Sequence, residues 1–259
     1  MLAKAWSMGF GMSFLHWRAH RPAKRVLYID GEMSARVARD RIAEAAQRHG
    51  AVPDNLVFIN RDDFPGLPPL NTVDGQRYVN QLIEHAPGTE FAFLDNVQAL
   101  LVGDMKEEDG WSATLPWIRD LTRRSIGQCW VHHTGHDTSR GYGSKTREWQ
   151  LDTVMLMTDR ADKGELLVDF DLSFTKTRER NQRNRADFAD ARIWINQEGQ
   201  WESSVTPAAQ RQRKARPLPP ETLKALDYLR DVLPSMARRP AAPPCRTSRR
   251  RSWSSGETT

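Results

Sequence analysis

The chain has 259 residues, of which 39% are hydrophobic and 27% are charged, a length and composition typical of one large domain with at most a small appendage. No apolar run approaches the roughly 18 residues of a membrane-spanning helix. Two widely separated cysteines, Cys129 and Cys245, exclude a disulfide framework and a cysteine-rich zinc site, and they favour a reducing, cytoplasmic setting. The net charge of +5 comes from the tail, because residues 203–259 carry 12 basic and 4 acidic side chains, whereas residues 1–202 carry 26 and 29.

Short apolar runs alternate with longer stretches of helical periodicity along the chain. Residues 1–17 are predicted to form a buried amphipathic helix rather than a secretory signal, because glycine and serine residues interrupt the apolar segment. Ser34 and Gly50 are suited to cap and to end a helix over residues 35–49. Further helices are predicted at 72–85 and 111–125, the latter kinked or starting late at Pro116. The predicted strands are residues 26–30, 56–59, 91–95, 128–132, 153–157, 166–174, 191–195 and 200–202.

Strands that alternate with helices in this way indicate right-handed βαβ units. We therefore predict an α/β fold, with a mainly parallel twisted sheet flanked by helices, over residues 1–204. The last strands follow one another without helices, which predicts antiparallel additions at one edge of that sheet. A linker rich in proline and arginine is expected at 205–220, and a short helix at 221–233 with a disordered basic tail is expected within 221–259.

Acidic and imidazole side chains stand at the ends of three predicted strands. Glu32 follows the first, Asp95 ends FAFLD, and His132 and His133 end QCWVHH. Ligands of open α/β sheets bind at the carboxyl ends of the strands, so these residues are expected to share one site. Asp95 is suited to Mg²⁺, Glu32 to polarising a water, and one histidine to contacting a phosphate. Each residue alone also fits a structural role, as a helix cap, a solvated acid or a buried strand histidine. Adjacent histidines on a strand face opposite sides, which argues against a zinc site.

Four segments taken together resemble the RecA-like ATPase core. They are VLYIDGEMS, FAFLDNVQALL, QCWVHHTGHD and RGYGSKTREWQLDTVMLM. The resemblance covers about residues 1–200 and is closest to the AAA-family plasmid replication helicases of the RepA type, with a more distant similarity to DnaB-type hexameric helicases. It implies an ATP- and Mg²⁺-dependent motor of DNA replication, assembled as a homo-oligomeric ring such as a hexamer, with single-stranded DNA as its partner.

The resemblance also implies roles for individual residues. Glu32 matches the acid that activates water, and Asp95 matches the Walker B acid that holds the metal ion. His132 and His133 match the strand-end motif that senses the nucleotide, with His133 taken as the catalytic member. Either histidine fits this position equally well on spacing alone.

Basic residues later in the chain match two further parts of these motors. Arg147 in TREWQ resembles an arginine finger that reaches the nucleotide of a neighbouring subunit. Lys176 and Arg178 in TKTRERN resemble the basic finger pair of the DnaB-type helicases, so the identity of the finger stays open. A second set is expected to contact the backbone of a nucleic acid, as an alternative to lying on solvated loops: Arg140, Lys145, Arg183 and Arg185.

One departure from the family pattern concerns the phosphate loop, because no GxxxxGK[ST] occurs in the sequence. That loop cradles phosphates with backbone N–H groups and a lysine. MLAKAWSMGFGMSF resembles the segment that follows it, so we expect a chain truncated before the first strand and the loop, or else a degenerate subunit. The GYGSKT segment at 141–146 lacks the required glycine before its lysine. ATP hydrolysis is therefore expected to be impaired. The alternatives are a non-catalytic nucleic-acid-binding or regulatory subunit, and a fragment destabilised by an unpaired sheet edge.

Overall fold

The structure is a computed structural model that describes residues 1–19, 22–103, 109–133, 146–162, 164–205 and Lys224. The chain divides into two compact units, Met1–Gln210 and Arg211–Thr259. All the elements described below lie in the first. The predicted linker and tail lie outside the described residues, apart from Val205 and Lys224. In the described part of the chain, no helix combines the length and the apolar character that crossing a membrane requires.

The first half of the chain alternates strands and helices as predicted. Helix α2 begins after Ser34, whose hydroxyl accepts a hydrogen bond from the Val37 amide, and ends at Gly50 in the left-handed conformation, a common helix stop. The elements in this half are α1 (Leu2–Phe10), β1 (Arg25–Asp30), α2 (Ala35–His49), β2 (Leu56–Asn60), α3 (Val73–His85), β3 (Thr89–Asp95), α4 (Val97–Leu100), α5 (Asp109–Ser112), α6 (Leu115–Arg123) and β4 (Gly127–Trp130).

The four strands of this half form one parallel sheet in the order β2-β1-β3-β4, which confirms the predicted α/β class. Asp30 is in register with Asn60 on one side and with Asp95 on the other. The carboxyl ends of three strands are therefore level with one another. Polar residues that end these strands or directly follow them are consequently brought to a single edge of the sheet.

Both faces of the sheet are covered, as the continuous apolar runs of its strands predict. Leu27 and Ile29 of β1 pack on the side that carries α3 and α6. Tyr28 and Phe93 pack on the opposite side, together with Ala5 of α1. Each fully buried large side chain contributes roughly 1.5–3 kcal/mol, so this two-sided core stabilises the strand ends that carry the polar residues.

The second half of the described chain forms a separate antiparallel sheet in the order β5-β6-β7-β8. The predicted antiparallel pairing is therefore right, but the predicted addition to an edge of the parallel sheet is wrong for the described residues. This sheet has its own apolar cluster of Leu172, Phe174, Ala191 and Ile193, which fixes its strands to one another. Its elements, with the helix before them, are α7 (Thr146–Gln150), β5 (Thr153–Asp159), β6 (Asp169–Thr177), β7 (Ala191–Ile195) and β8 (Trp201–Val205).

Two element boundaries differ from the predicted ones in ways that affect the site. The helix predicted over 111–125 is divided into α5 and α6, and Pro116 stands in the first turn of α6, where its missing N–H costs nothing. Strand β4 ends at Trp130 rather than at residue 132. His132 and His133 therefore lie in the segment after the strand, where adjacent side chains no longer have to face opposite sides of a sheet.

Candidate functional site

The turn after β1 is built around the side chain of Asp30, which is 1% exposed. Its Oδ1 accepts hydrogen bonds from the backbone amides of Glu32 at 2.8 Å and Met33 at 2.9 Å. Its Oδ2 is buried without a hydrogen-bond partner among the described residues. Burial raises the pKa of Asp30, and the two backbone N–H groups oppose that rise. Asp30 thus fixes the backbone from which the Glu32 side chain projects.

Gly31 brings this turn close to the end of β3. Its amide donates to the Asp95 carbonyl at 2.7 Å. A Cβ atom at this position would lie 2.7 Å from Cδ2 of Leu100, which is too close for any side chain without rearrangement. The glycine therefore allows the turn to approach α4, and it keeps Glu32 near the residues that follow Asp95.

Glu32, Asn96 and His133 form a three-membered polar cluster at the ends of β1, β3 and β4. Nε2 of His133 lies 3.1 Å from Oε2 and 3.3 Å from Oε1 of Glu32. Nδ2 of Asn96 donates to Oε2 of Glu32 and lies 2.9 Å from Nε2 of His133. The Glu32 and His133 side chains are 55% and 57% exposed, so this carboxylate is held in place and is still accessible to water.

Asn96 is the rigid member of the cluster, being 2% exposed. It caps α4, and its Oδ1 accepts a hydrogen bond from the Ala99 amide at 3.0 Å. Because the oxygen is committed to the helix end, the amide nitrogen points toward Glu32 and His133. Asn96 is not among the predicted site residues, although an asparagine directly before the short apolar run VQAL is a typical helix cap.

Asp95 lies next to Asn96 in the chain, with a cis peptide bond between them. Its Oδ2 accepts a hydrogen bond from the hydroxyl of Tyr28, a β1 residue that is 1% exposed. Burial and the neighbouring Asp95 carboxylate both raise the pKa of Tyr28, so the phenol remains a donor at all ordinary pH values. Tyr28 is likewise not among the predicted site residues, because its place in an apolar run suggests a packing role alone.

Cys129 and Lys4 lie on the same side of the sheet as Tyr28. Burial raises the pKa of the Cys129 thiol and lowers the pKa of the Lys4 ammonium, whose Nζ lies 4.4 Å from the centroid of the Trp17 ring. Because burial keeps the Cys129 thiol protonated, this residue is a poor metal ligand and a poor nucleophile. In the part of the chain that is described, no three or more His, Cys, Asp or Glu side chains are grouped to hold a metal ion.

The predicted basic pair Lys176 and Arg178 is bound to α7. Lys176 donates through Nζ to the carbonyls of Glu148 and Trp149, and Arg178 donates to the Trp149 carbonyl at 2.6 Å. Both side chains therefore hold the end of α7, the helix that contains Arg147. Desolvation and the nearby Arg178 charge lower the pKa of Lys176. No described contact joins either residue to Glu32, Asp95 or His133.

The predicted nucleic-acid contacts fall partly outside the described residues. Arg140 and Lys145 lie there, and so does the side chain of Arg147. Arg183 and Arg185 are exposed on the segment after β6. That segment is shaped by Asn181, whose Oδ1 accepts from the Arg183 amide at 2.8 Å, and by Asn184, whose Oδ1 accepts from the Asn181 amide at 2.7 Å. Local side-chain bonds of this kind fix a turn and leave the arginines directed to solvent.

His132 and His133 are distinguished by the structure. His132 is half-buried, whereas His133 is exposed and is the one whose ring contacts Glu32. Of the predicted site residues, Glu32, Asp95 and His133 therefore come to the same sheet edge. Glu32 and His133 touch directly, and Asp95 is joined to them through Asn96.

Comparison with known proteins gives one family match. Residues 2–139 match the family model described as AAA domain. Among solved structures, 113 chains are significantly similar. One is a KaiC-like protein from the hyperthermophilic archaeon Pyrococcus horikoshii OT3, with 14% identity over 71% of this chain and 76% of that chain and a TM-score of 0.44. No curated protein matches the chain significantly.

Proposed function

Because the chain belongs to the AAA domain family, we propose that it is a RecA-like ATPase-type motor domain of the RepA helicase kind, acting on nucleic acid in DNA replication or a related process. The observation that carries the proposal is the contact between Glu32 and His133 beside Asp95. These residues lie at the carboxyl ends of β1, β3 and β4, which are neighbouring parallel strands. This edge is where α/β sheets bind their ligands.

In the proposed reaction Glu32 takes a proton from the water that attacks the terminal phosphate. Its carboxylate is accessible and is oriented by Asn96, as a general base requires. His133 contacts the terminal phosphate from the segment after β4, and Arg147 reaches the nucleotide of an adjacent subunit in a ring. Such an arginine raises the rate of related enzymes by about 10³–10⁵.

The residues at this edge fit Mg²⁺ in one specific way. Asp95 offers a carboxylate oxygen, the ligand type that Mg²⁺ prefers, and Mg²⁺ commonly takes only one or two protein carboxylates with water and phosphate as its other ligands. When bound, Mg²⁺ would neutralise the negative charge of the phosphates. Tyr28 donates a hydrogen bond to Oδ2 of Asp95, which orients the carboxylate that would hold the metal.

The triphosphate itself fits the chain less well. The sequence contains no GxxxxGK[ST] loop, and the GYGSKT segment falls largely outside the described residues. The basic pair Lys176 and Arg178 is occupied with the carbonyls of α7. Hydrolysis by this chain is therefore proposed to be slow, since this loop is the element whose backbone N–H groups and lysine hold the phosphates.

The test is ATP turnover of the purified chain, with Mg²⁺ and with or without single-stranded DNA. Glu32→Gln should lower any turnover by about 10²–10⁴, the usual contribution of a general base. Glu84→Gln, at an exposed position of α3, is the matched control and should leave it unchanged. Equal turnover in wild type and Glu32→Gln would contradict the proposed role of Glu32.

A second candidate function is a non-catalytic nucleic-acid-binding or regulatory subunit. The observation that favours it is the row of exposed arginines at and after the end of β6, which includes Arg178, Arg180, Arg183 and Arg185. Salt-sensitive binding of single-stranded DNA with no measurable ATP turnover would favour this candidate over the motor.

A further inference from the structure

The ring nitrogen Nε2 of His133 lies between a hydrogen-bond donor and a hydrogen-bond acceptor. Nδ2 of Asn96 is 2.9 Å away, and Oε2 of Glu32 is 3.1 Å away. A single imidazole nitrogen either carries a proton and donates, or has a lone pair and accepts. It therefore satisfies only one of these neighbours at a time.

Asn96 cannot relieve this conflict by turning its amide over. Its Oδ1 is bound to the Ala99 amide at the start of α4, and the residue is 2% exposed. The amide nitrogen is thus fixed as the group that faces His133. Glu32, as a carboxylate, only accepts, so the position of the proton on His133 is the one adjustable feature.

We propose that Asn96 is a positioning residue that competes with Glu32 for Nε2 of His133. When Nε2 carries the proton, His133 donates to Glu32, and the carboxylate is occupied by two donors. When the proton is on Nδ1, Asn96 donates to Nε2, and His133 leaves Glu32 available to water. The consequence for catalysis rests on the proposed function, whereas the competition itself does not require a nucleotide.

The competition is tested by the tautomer of His133, read from ¹H–¹⁵N correlation spectra of the full chain labelled at histidine nitrogen, under alkaline conditions where imidazole is neutral. The chain has seven histidines, and the signal that His133→Gln removes identifies the right one. His85 is the internal reference, because its Nδ1 faces the Gln81 carbonyl at 2.7 Å and must carry a proton.

Wild type should show mainly the Nε2–H form, because a charged acceptor makes the stronger hydrogen bond. Glu32→Ala should shift the ratio toward Nδ1–H by on the order of tenfold, since only the Asn96 donor then remains. In the Glu32→Ala background, Asn96→Ser should lower the ratio of the Nδ1–H form to the Nε2–H form by about fivefold, which is the effect of one neutral hydrogen bond. Serine is a good helix cap, so α4 is preserved.

Asn96→Asp provides a second variant in the Glu32→Ala background. It also caps the helix, but it can only accept, so it should favour the Nε2–H form as Asn96→Ser does. The His85 signal should stay constant throughout. A His133 ratio that is unchanged by Glu32→Ala, or unchanged by either Asn96 substitution in that background, would falsify the competition. Loss of the Glu32→Gln effect on turnover would instead contradict the proposed function alone.

Discussion

The hydroxyl of Tyr28 donates a hydrogen bond to Oδ2 of Asp95 across two neighbouring strands, although the residues are 67 positions apart in sequence. Tyr28 is buried between the sheet and α1, and its phenol stays protonated because burial and Asp95 raise its pKa. A buried donor thus restrains the orientation of the carboxylate that is proposed to hold Mg²⁺.

Tyr28→Phe is expected to destabilise the chain by about 1–3 kcal/mol, because the mutation leaves a carboxylate oxygen without its partner and removes a hydrogen bond to a charged group. The free energy of unfolding in urea measures this. Tyr78→Phe is the control, since the Tyr78 side chain makes no hydrogen bond within the described residues and packs at the edge of the apolar core on the other side of the sheet. Similar losses in the two variants would show that the Tyr28 hydroxyl does not stabilise Asp95.

Asp30 should make the stability of the chain depend on pH. Its pKa is raised in the folded state by burial, so the native protein holds this proton more tightly than the unfolded chain does. The stabilisation from the protonated form is therefore complete below the usual aspartate pKa of about 3.9, and it is lost as the pH rises through the raised value. Above that range the buried charge destabilises the fold.

Asp30→Asn should remove this part of the pH dependence, since the amide oxygen still accepts from Glu32 and Met33 without carrying a charge. The free energy of unfolding of the variant should be no higher than that of wild type near pH 4, and it should rise relative to that of wild type toward pH 8. Urea unfolding across that range measures the difference. Asp40→Asn on the exposed face of α2 is the control, and parallel curves for wild type and Asp30→Asn would contradict the expectation.

The positions of Glu32 and Asp95 were predictable because each follows an apolar run, and strands of a parallel sheet end at the same edge. Asn96 was not predictable as a partner of Glu32, because that contact depends on the register Asp30↔Asp95, which sequence spacing does not determine. The choice between His132 and His133 likewise depends on β4 ending at Trp130. A strand two residues longer would have turned the two rings to opposite faces.

For the antiparallel strands, the sequence pattern predicts the strands but not the sheet to which they belong. Alternating residues in β6 and β7 predict half-buried strands, but they do not tell which sheet the strands join. Here Leu172 and Ile193 complete a core of their own, and that core, not the strand pattern, determines the separate sheet. The roles of Lys176 and Arg178 depend in the same way on tertiary contacts, since both bind carbonyls of α7.

Arg192 should be essential for the stability of the antiparallel sheet. Its guanidinium makes two hydrogen bonds to the fully buried Asp169, of 2.9 Å from Nε and 2.7 Å from Nη2. Arg192→Ala removes both of these hydrogen bonds from a buried carboxylate, whose ion pair with Arg160 is longer, at 3.9 Å, so the urea midpoint should fall markedly. The urea midpoint of Arg192→Lys should fall by a smaller amount, because an ammonium keeps the charge but cannot make the two parallel hydrogen bonds of a guanidinium.

The exposed pair Arg36–Asp40 provides the comparison for Arg192. Arg36→Ala should change the free energy of unfolding by no more than about 0.5 kcal/mol, as is usual for an exposed position. If Arg192→Ala and Arg36→Ala lower the midpoint equally, the Arg192–Asp169 pair contributes no more than a surface pair, and the apolar cluster holds the sheet together without it.

Arg183 and Arg185 should contribute to nucleic-acid binding through phosphate contacts. If both bind single-stranded DNA, the double variant Arg183→Ala/Arg185→Ala should weaken binding and flatten the plot of log affinity against log salt. Each lost contact reduces the slope by about 0.7 on a single strand, so the expected change is about 1.4. Fluorescence anisotropy with labelled oligonucleotides over a range of salt concentrations measures both quantities.

The control for this pair removes the same charge at another place. Arg36→Ala/Arg41→Ala lies on the exposed face of α2 and lowers the net charge by the same amount, so it should leave the slope unchanged if binding is local. An equal change of slope in the two double variants would mean that the DNA responds to net charge alone. In that case the segment after β6 is an ordinary solvated loop, and the nucleic-acid surface has to be sought elsewhere on the chain.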